Sequence, residues 1–473
     1  MSPATPSDET SQRHRSAQEI VGREGPIRVD DDGLLWIEGR TADELAQAYG
    51  TPLYVTSEAQ IRANVRRLRE AFETRWPHVT LLFATKSNAN LAIRRVLVEE
   101  RVGGDCFGLG ELALSLQAGV PPDLLVMNGS NKQPAELNAA IEAGVLINVD
   151  DRSELEAIAR CAMELGRPAD ICLRVLPFSY AGAVELEPGL AEIAGDRSHD
   201  KWGMDRETIL EVVPEALGSD RLRLRGLHLH VSRLRATPEA FELASRLIAV
   251  CIAELHDSFG WQPELLDFGG GYPHERDPES GAPSGSHPVG TPEEVAETIT
   301  STLRAALAEH SLREPHLLLE PGRRLVSNAT VLLTRVGVVK RLPTGSTTWV
   351  NVDASTNHCP RAPLQGYYYE IVHATDGLAG GDTEVSVVGP TCVIDLLGEQ
   401  RALPSPGPGD LLAIMDVGGY AEVLSNQFNM LPRPANVLVD GDTCELIRRR
   451  ETLDDLLATQ LVPARLGAPP AVA

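Results

Sequence analysis

Leu81-Leu82-Phe83-Ala84-Thr85-Lys86-Ser87-Asn88-Ala89-Asn90 is an apolar run that passes through one threonine to a lysine and then into a polar turn. Its continuity predicts a strand buried on both faces that delivers one amine to its carboxyl end. Lys86 then has two readings. A lysine at a strand end commonly reaches solvent and stays charged. In a partly desolvated pocket it loses basicity and becomes a nucleophile toward an aldehyde, a Schiff-base lysine. The rest of the chain decides between them.

Outward from this stretch, apolar strands alternate with amphipathic helical segments over residues 46–325. The strand candidates end at Lys86, Gly108, Gly129, Asp150, Pro177, Val231, Gly271 and Arg323. Helical patterns lie between them: 91–100, 110–118, 134–143, 152–165, 205–217, 238–259 and 292–310. Eight βα repeats predict a closed (β/α)8 TIM barrel, an α/β fold whose active site lies at the carboxyl ends of the strands. A doubly wound open sheet is the competing architecture.

Beyond 325 the pattern changes to β-rich runs at 331–339, 348–352, 383–388, 411–415 and 436–439, which predict a second, mostly β and barrel-like C-terminal domain over 326–455. Two short strands within 26–40, joined by an Asp-Asp-Gly turn, are expected to pack on it, because their edges need pairing. Thr41, with Asp43 and Glu44 behind it, reads as a helix N-cap. Residues 1–24 read as a disordered leader and 456–473 as a tail of low order. The Pro-, Gly- and Ser-rich stretch 276–292 reads as a loop over the barrel mouth.

Composition narrows the function classes. The formal net charge of −24 repels phosphate backbones and argues against nucleic acid as a partner. No apolar run reaches membrane-span length, and the N-terminus lacks the pattern of a signal peptide, so the expectation is a cytoplasmic protein without a membrane partner. Seven scattered cysteines do not form a disulfide framework or a zinc knuckle.

The predicted strand ends carry chemistry. Asp267-Phe268-Gly269-Gly270-Gly271 ends the seventh strand, and three glycines let backbone N–H groups close on an oxyanion, with phosphate the natural occupant. Read in isolation, they are a flexible turn. The eighth strand ends Glu320-Pro321-Gly322-Arg323, setting a permanent cation beside those glycines and a carboxylate where a protonated ring nitrogen could pair with it. The sixth carries His228-Leu229-His230, and alternation puts both histidines on one face. A metal pair there lacks a convincing third ligand, so no metal is assigned; ring stacking and a hydrogen-bonded core histidine are the other readings. Lysine, glycines, arginine and glutamate together describe a pyridoxal 5′-phosphate (PLP) site.

With these motifs the chain resembles the fold type III PLP-dependent decarboxylases, the diaminopimelate and ornithine decarboxylase group, over roughly residues 50–440. The resemblance implies a Schiff base at Lys86 and stacking of His230 on the pyridine ring. It implies phosphate contacts from Gly269, Gly270, Gly271, Gly322 and Arg323, and a ring-nitrogen contact from Glu320. Gly389-Pro390-Thr391-Cys392 is similar to the family's cysteine loop, which implies protonation by Cys392 from the partner subunit of a head-to-tail homodimer with shared active sites. Asp416-Val417-Gly418-Gly419-Tyr420 resembles the segment whose tyrosine reaches the phosphate. Asn128 to Lys132 and Asn148 to Asp150 match the family's third- and fourth-strand signatures.

Departures from the family pattern bear on the substrate. Members acting on diamino acids place an acid directly after the cysteine; here that residue is Val393, and Asp395 follows two positions on as a candidate substitute. Ser232-Arg233 stands where the family has Gly-Ser, and Arg233 either binds a substrate carboxylate or faces solvent. Arg361 resembles the arginine that binds the substrate carboxylate, but the tyrosine expected four residues later is Gln365, with Tyr367, Tyr368 and Tyr369 close behind. The resulting expectation is a decarboxylase for an amino acid without the usual distal amine, whether modified, conjugated or acidic. The alternatives are diaminopimelate decarboxylase proper, a PLP-dependent racemase, and a non-catalytic PLP-binding regulator.

Overall fold

The computed structural model describes residues 15–183, 201–231, 237–274, 276, 289–341, 343 and 347–467. Arg233, residues 1–14 of the expected leader, residues 468–473 of the tail and most of the loop expected over 276–292 lie outside them. The chain divides into two units: Ser57–Thr330 with Asp416–Val423, and Met1–Thr56 with Val331–Met415 and Leu424–Ala473.

The first unit is built on a closed barrel of eight parallel strands: β1 (Val79–Ala84), β2 (Gly103–Cys106), β3 (Leu125–Met127), β4 (Leu146–Val149), β5 (Ala169–Arg174), β6 (Leu222–His228), β7 (Leu265–Asp267) and β8 (His316–Leu319). Each pairs with the next in sequence, and β8 closes on β1 through Leu317 opposite Val79 and Leu319 opposite Leu81. Leu82, Val126 and Leu318 pack together in the interior, so the barrel is a filled core and not a pore. The open-sheet alternative is excluded by this closure.

Helices follow the strands at Leu91–Glu99, Leu109–Gln117, Pro134–Ala143, Arg152–Glu164, Arg206–Leu217, Pro238–Phe259 and Pro292–Glu309. Many begin where the sequence supplies a capping oxygen: Asn90, Asp151, Asp205, Thr237 and Thr291 each accept a bond from a backbone N–H of the first turn. Such caps fix where these helices begin after the strands.

The second unit is a nine-stranded sheet in which Leu53–Ser57, Thr330–Arg341 and Ala435–Asp440 are central. Ile27–Val29 and Leu35–Ile37 pair antiparallel, with Ile27 opposite Ile37, and share a core with Val331, Leu333, Val437 and Val439. The strand Leu53–Ser57 thus belongs to this unit, whereas the sequence reading begins the barrel at 46; its burial in the sheet explains the difference.

The leader also needs correction. Ala17–Val21 is a helix, closed by a capping box between Ser16 and Glu19, with Ala17 buried and Arg15 paired to Glu370 at 2.8 Å. Among the described residues no helix is long and apolar enough to cross a membrane.

Candidate active site

Each barrel strand carries a polar residue at or next to its carboxyl end, and six of these residues form one hydrogen-bonded network. Lys86 follows β1 in the single turn Thr85–Ser87; Asp105, Asn148, Arg174, His228 and Asp267 lie on β2, β4, β5, β6 and β7; Asn128 and Glu320 come directly after β3 and β8. Lys86 Nζ donates to Asp105 Oδ2 at 2.5 Å. Asn128 Nδ2 bridges Asp105 Oδ1 (2.7 Å) and Glu320 Oε1 (2.6 Å), while Asn148 Nδ2 reaches Asn128 Oδ1 (3.1 Å) and Asp267 Oδ2 (3.0 Å). Asp105 is fully buried, whereas the Lys86 side chain keeps 31% of its surface, so the amine faces the mouth of the barrel.

The network's charge state follows from burial and neighbours. Burial lowers the Lys86 pKa, but Asp105, Tyr420 and Glu320 more than reverse this and keep the amine protonated. Asp105 is pushed up to about 6, by burial and then by the charge of Glu320. Asp267 and Glu320 are shifted in opposite directions. Burial and the neighbouring Glu320 raise Asp267 far above the carboxylate range; burial also raises Glu320, but His228 and Lys86 overcome it and hold the group ionised.

His230 is lowered to about 3 by burial and then by the charges of Lys86 and Arg174, so its ring is neutral. A neutral imidazole is suited to lying against an aromatic ring and not to donating a proton at pH 7. Arg174 itself is held by Asp150 at 3.0 Å.

The metal question is altered by the fold. His228, Asp267 and Glu320 bring ligand atoms within 4.8 Å of one another, a grouping that does not include His230, the second histidine of the pair considered from the sequence. Their carboxylates already accept from the amides of Asn128 and Asn148 and from Gly269 N. His228 Nε2 stands 3.8 Å from Glu320 Oε2, and neither ring nitrogen of His228 has a hydrogen-bond partner among the described residues. Buried orphan nitrogens beside an ionised carboxylate describe room for a further polar group.

The glycines form a cradle that side chains would fill. Gly269 has φ +63°, and a Cβ there would lie 2.3 Å from Leu229 O. A Cβ on Gly270 would lie 2.9 Å from Glu320 O and 3.2 Å from His230 Nε2. Gly322 packs so closely on the lysine turn that a Cβ would meet Ser87 Oγ at 3.0 Å, and Arg323 follows it at the start of Arg323–Val326. The segment Asp416–Val423 completes this side: Tyr420 N donates to Ser87 O at 2.8 Å and Asn88 Nδ2 to Gly418 O at 3.0 Å. The structure therefore brings Lys86, His230, the three glycines, Glu320, Gly322, Arg323 and Tyr420 into one unit. These residues fit PLP: an amine for the aldehyde, an ionised carboxylate for the ring nitrogen and a side-chain-free cradle beside a cation for the phosphate.

Cys392, Arg361 and Asp395 lie in the second unit. Cys392 is exposed, and its N–H donates to Asn429 Oδ1 at 3.1 Å. The guanidinium of Arg361 lies 3.7 Å from the ring centre of Tyr367 and donates to Gln365 at 2.9 Å, so a tyrosine meets this arginine two residues later than the family spacing. Asp395 is the correction among the site residues. It sits not in a strand but in a turn at φ +51°, with Oδ1 accepting from Ser355 Oγ (2.9 Å), Thr356 N (2.7 Å) and Thr356 Oγ1 (2.6 Å), and Oδ2 from Thr391 N (3.0 Å). Oδ1 is committed to the Ser355–Thr356 segment and Oδ2 to the cysteine loop, so the side chain is not presented to a substrate.

Sequence reading alone gave no role to Asp105, Arg174 or Asp267. The available signal was a single charged residue at the end of an otherwise apolar strand.

Comparison with known proteins agrees with this geometry. Residues 58–327 match the family model described as pyridoxal-dependent decarboxylase, pyridoxal binding domain. The diaminopimelate decarboxylase of Methanothermobacter thermautotrophicus is 38% identical over 93% of this chain and 98% of its own length; that of Bacillus subtilis is 30% identical over 94% and 98%. The crystal structure of diaminopimelate decarboxylase from M. jannaschii in complex with L-lysine superposes with a TM-score of 0.83 at 32% identity, covering 93% of this chain and 98% of the other. The chain belongs to the pyridoxal-dependent decarboxylase family and is a PLP-dependent carboxy-lyase that acts on an amino acid.

Proposed function

We propose that the chain removes carbon dioxide from meso-diaminopimelate, and that the network around Lys86 is where it does so. The observation that carries this is the Glu320 carboxylate, fixed by Asn128 at 2.6 Å within the same network as the Lys86 amine. The full-length likeness to diaminopimelate decarboxylases supports the choice of substrate. Bound PLP supplies an electron sink for the Cα–carboxyl bond.

The chain's own residues divide the remaining work. Lys86 holds the cofactor covalently, and Asp105 takes a charge-assisted bond from the same amine when it is released. Neutral His230 lies against the ring, while Gly269, Gly270, Gly271, Gly322, Arg323 and Tyr420 hold the phosphate. Arg361 binds a substrate carboxylate with Tyr367 behind it. Cys392 of a second copy delivers the proton to Cα, which makes the working form a homodimer.

A second reading keeps the reaction and changes the substrate. Val393 and Ile394, 54% and 73% exposed, follow Cys392 where a carboxylate would grip a distal ammonium, and Asp395 is turned inward. These favour an amino acid whose distal end carries no ammonium. Carbon dioxide release from meso-diaminopimelate, ornithine, arginine and glutamate, measured side by side, separates the two. Efficient turnover of meso-diaminopimelate supports the first reading and removes the second; turnover of glutamate alone does the reverse, and turnover of ornithine or arginine alone removes both.

A further inference from the structure

The barrel unit contains a bidentate ion pair that the catalytic roles above do not use. Arg276 Nε donates to Asp416 Oδ2 at 2.8 Å and Arg276 Nη2 to Asp416 Oδ1 at 2.6 Å, with Asp416 only 4% exposed. Arg276 lies five residues after Gly271, on the chain that leaves the glycine cradle; Asp416 opens the segment that carries Tyr420. The pair therefore joins the two sides of the phosphate site.

The segment needs such a fastening. Asp416 and Tyr420 are non-glycine residues at φ +60° and +61°, a backbone region that side chains disfavour. Between them the chain runs so close to the barrel unit that a Cβ on Gly418 would lie 1.8 Å from Val326 O and one on Gly419 2.6 Å from Ser327 Oγ. Main-chain bonds fix its middle, with Gly418 N donating to Ser327 O at 3.0 Å and Tyr420 N to Ser87 O at 2.8 Å. A partly buried, two-pronged arginine–carboxylate pair fixes its start in one orientation.

We propose that Arg276 is a positioning residue for the cofactor phosphate: by clamping Asp416 it sets Tyr420 opposite the glycine cradle. The inference rests on the reading that the phosphate lies between Gly269–Gly271 and Tyr420. It differs from a general stabilising role in one respect: the clamp acts on the phosphate and not on the aldehyde that meets Lys86.

The test uses full-length protein stripped of cofactor and titrated with PLP and, separately, with pyridoxal, which carries the same aldehyde without the phosphate. Uptake is followed by the visible absorbance of the lysine-linked compound. Arg276→Gln is expected to lose about 10–100-fold in PLP affinity, the scale on which removal of a supporting partner weakens a bound group. Its pyridoxal affinity stays within about twofold of wild type, and Arg276→Lys, which keeps one bond, falls between. Asp416→Asn reproduces the loss, and the double variant loses no more than either single change, because both remove the same clamp. Equal losses for PLP and pyridoxal, or none for either, overturn the clamp. Wild-type protein that takes up pyridoxal no less tightly than PLP overturns the phosphate-site reading, and the clamp with it.

Discussion

Asp395→Asn tests whether the cysteine loop is held in the way its hydrogen bonds describe. The carboxylate accepts four bonds, two of them from backbone N–H groups. An asparagine that keeps its oxygen on the Ser355 and Thr356 donors turns an NH2 toward Thr391 N, which loses one charge-assisted bond and makes the other three neutral. Such a bond contributes about 1.5–3 kcal/mol and a neutral one about 1, so the loop loses on the order of 3 kcal/mol of local stability. Amide hydrogen exchange reads this directly: Thr356 N–H, buried and bonded to Oδ1, should exchange roughly a hundredfold faster at neutral pH, since 1.4 kcal/mol is a factor of about ten. Calorimetry should show the melting temperature falling by about 6–12 °C for a unit of 150–250 residues.

The pH dependence fixes the sign. Burial raises the Asp395 pKa, but the bonds to Thr356 and Thr391 outweigh it and leave the group below its ordinary value. A carboxylate lowered by folding contributes stability above its unfolded pKa of about 3.9, which is lost as pH falls toward the folded value. The gap between wild type and Asp395→Asn should therefore be constant from pH 7 to 5 and close below about pH 4. An asparagine variant with wild-type exchange at Thr356 and wild-type melting at pH 7 would refute the reasoning.

Gly270→Ala sets a Cβ 2.9 Å from Glu320 O and displaces His230, so PLP affinity should fall about 10–100-fold, the effect of 1–3 kcal/mol of overpacking, as measured by cofactor titration. Lys86→Ala should show no visible band in the presence of PLP and no borohydride-stable label on the chain. If active sites are shared, mixing inactive Lys86→Ala and Cys392→Ala proteins should restore about a quarter of wild-type activity, because half of all pairs are mixed and each mixed pair carries one intact site of its two; no recovery after subunit exchange argues against Cys392 crossing between copies. His230, with a pKa of about 3 when folded, binds its proton only in the unfolded chain between that value and about 6.5. Cofactor-free wild type should accordingly lose stability as pH drops through this window, and His230→Phe should lose less.

The barrel was legible because strands such as β1 are apolar runs and recur between helical patterns, and its seven following helices begin and end within a residue of their sequence patterns. The second unit was less so. Leu396–Leu403 and Thr443–Arg448 carry Glu399, Gln400, Arg401, Glu445 and Arg448, so no period of two marks them as edge strands, and Ile371–His373 is too short to register. Lys86, the glycines and Glu320 were found because unusual residues cluster at strand ends. Asp105 was missed, since its role depends on strand register: Ala84 and Asp105 face each other across β1 and β2, a pairing that no local pattern encodes. Asp395 was misjudged because a left-handed turn at a non-glycine residue reverses the direction its side chain takes.

The discontinuity of the second unit has a consequence during synthesis. The strand Leu53–Ser57 leaves the ribosome early, but the segments it pairs with begin only at Val331, roughly 270 residues later. At about 5–20 residues per second, translation leaves this piece waiting for some 14–55 s while the barrel between is made. Nascent chains arrested before Val331 should therefore carry an N-terminal arm that protease still cuts and that becomes resistant only once the chain is complete.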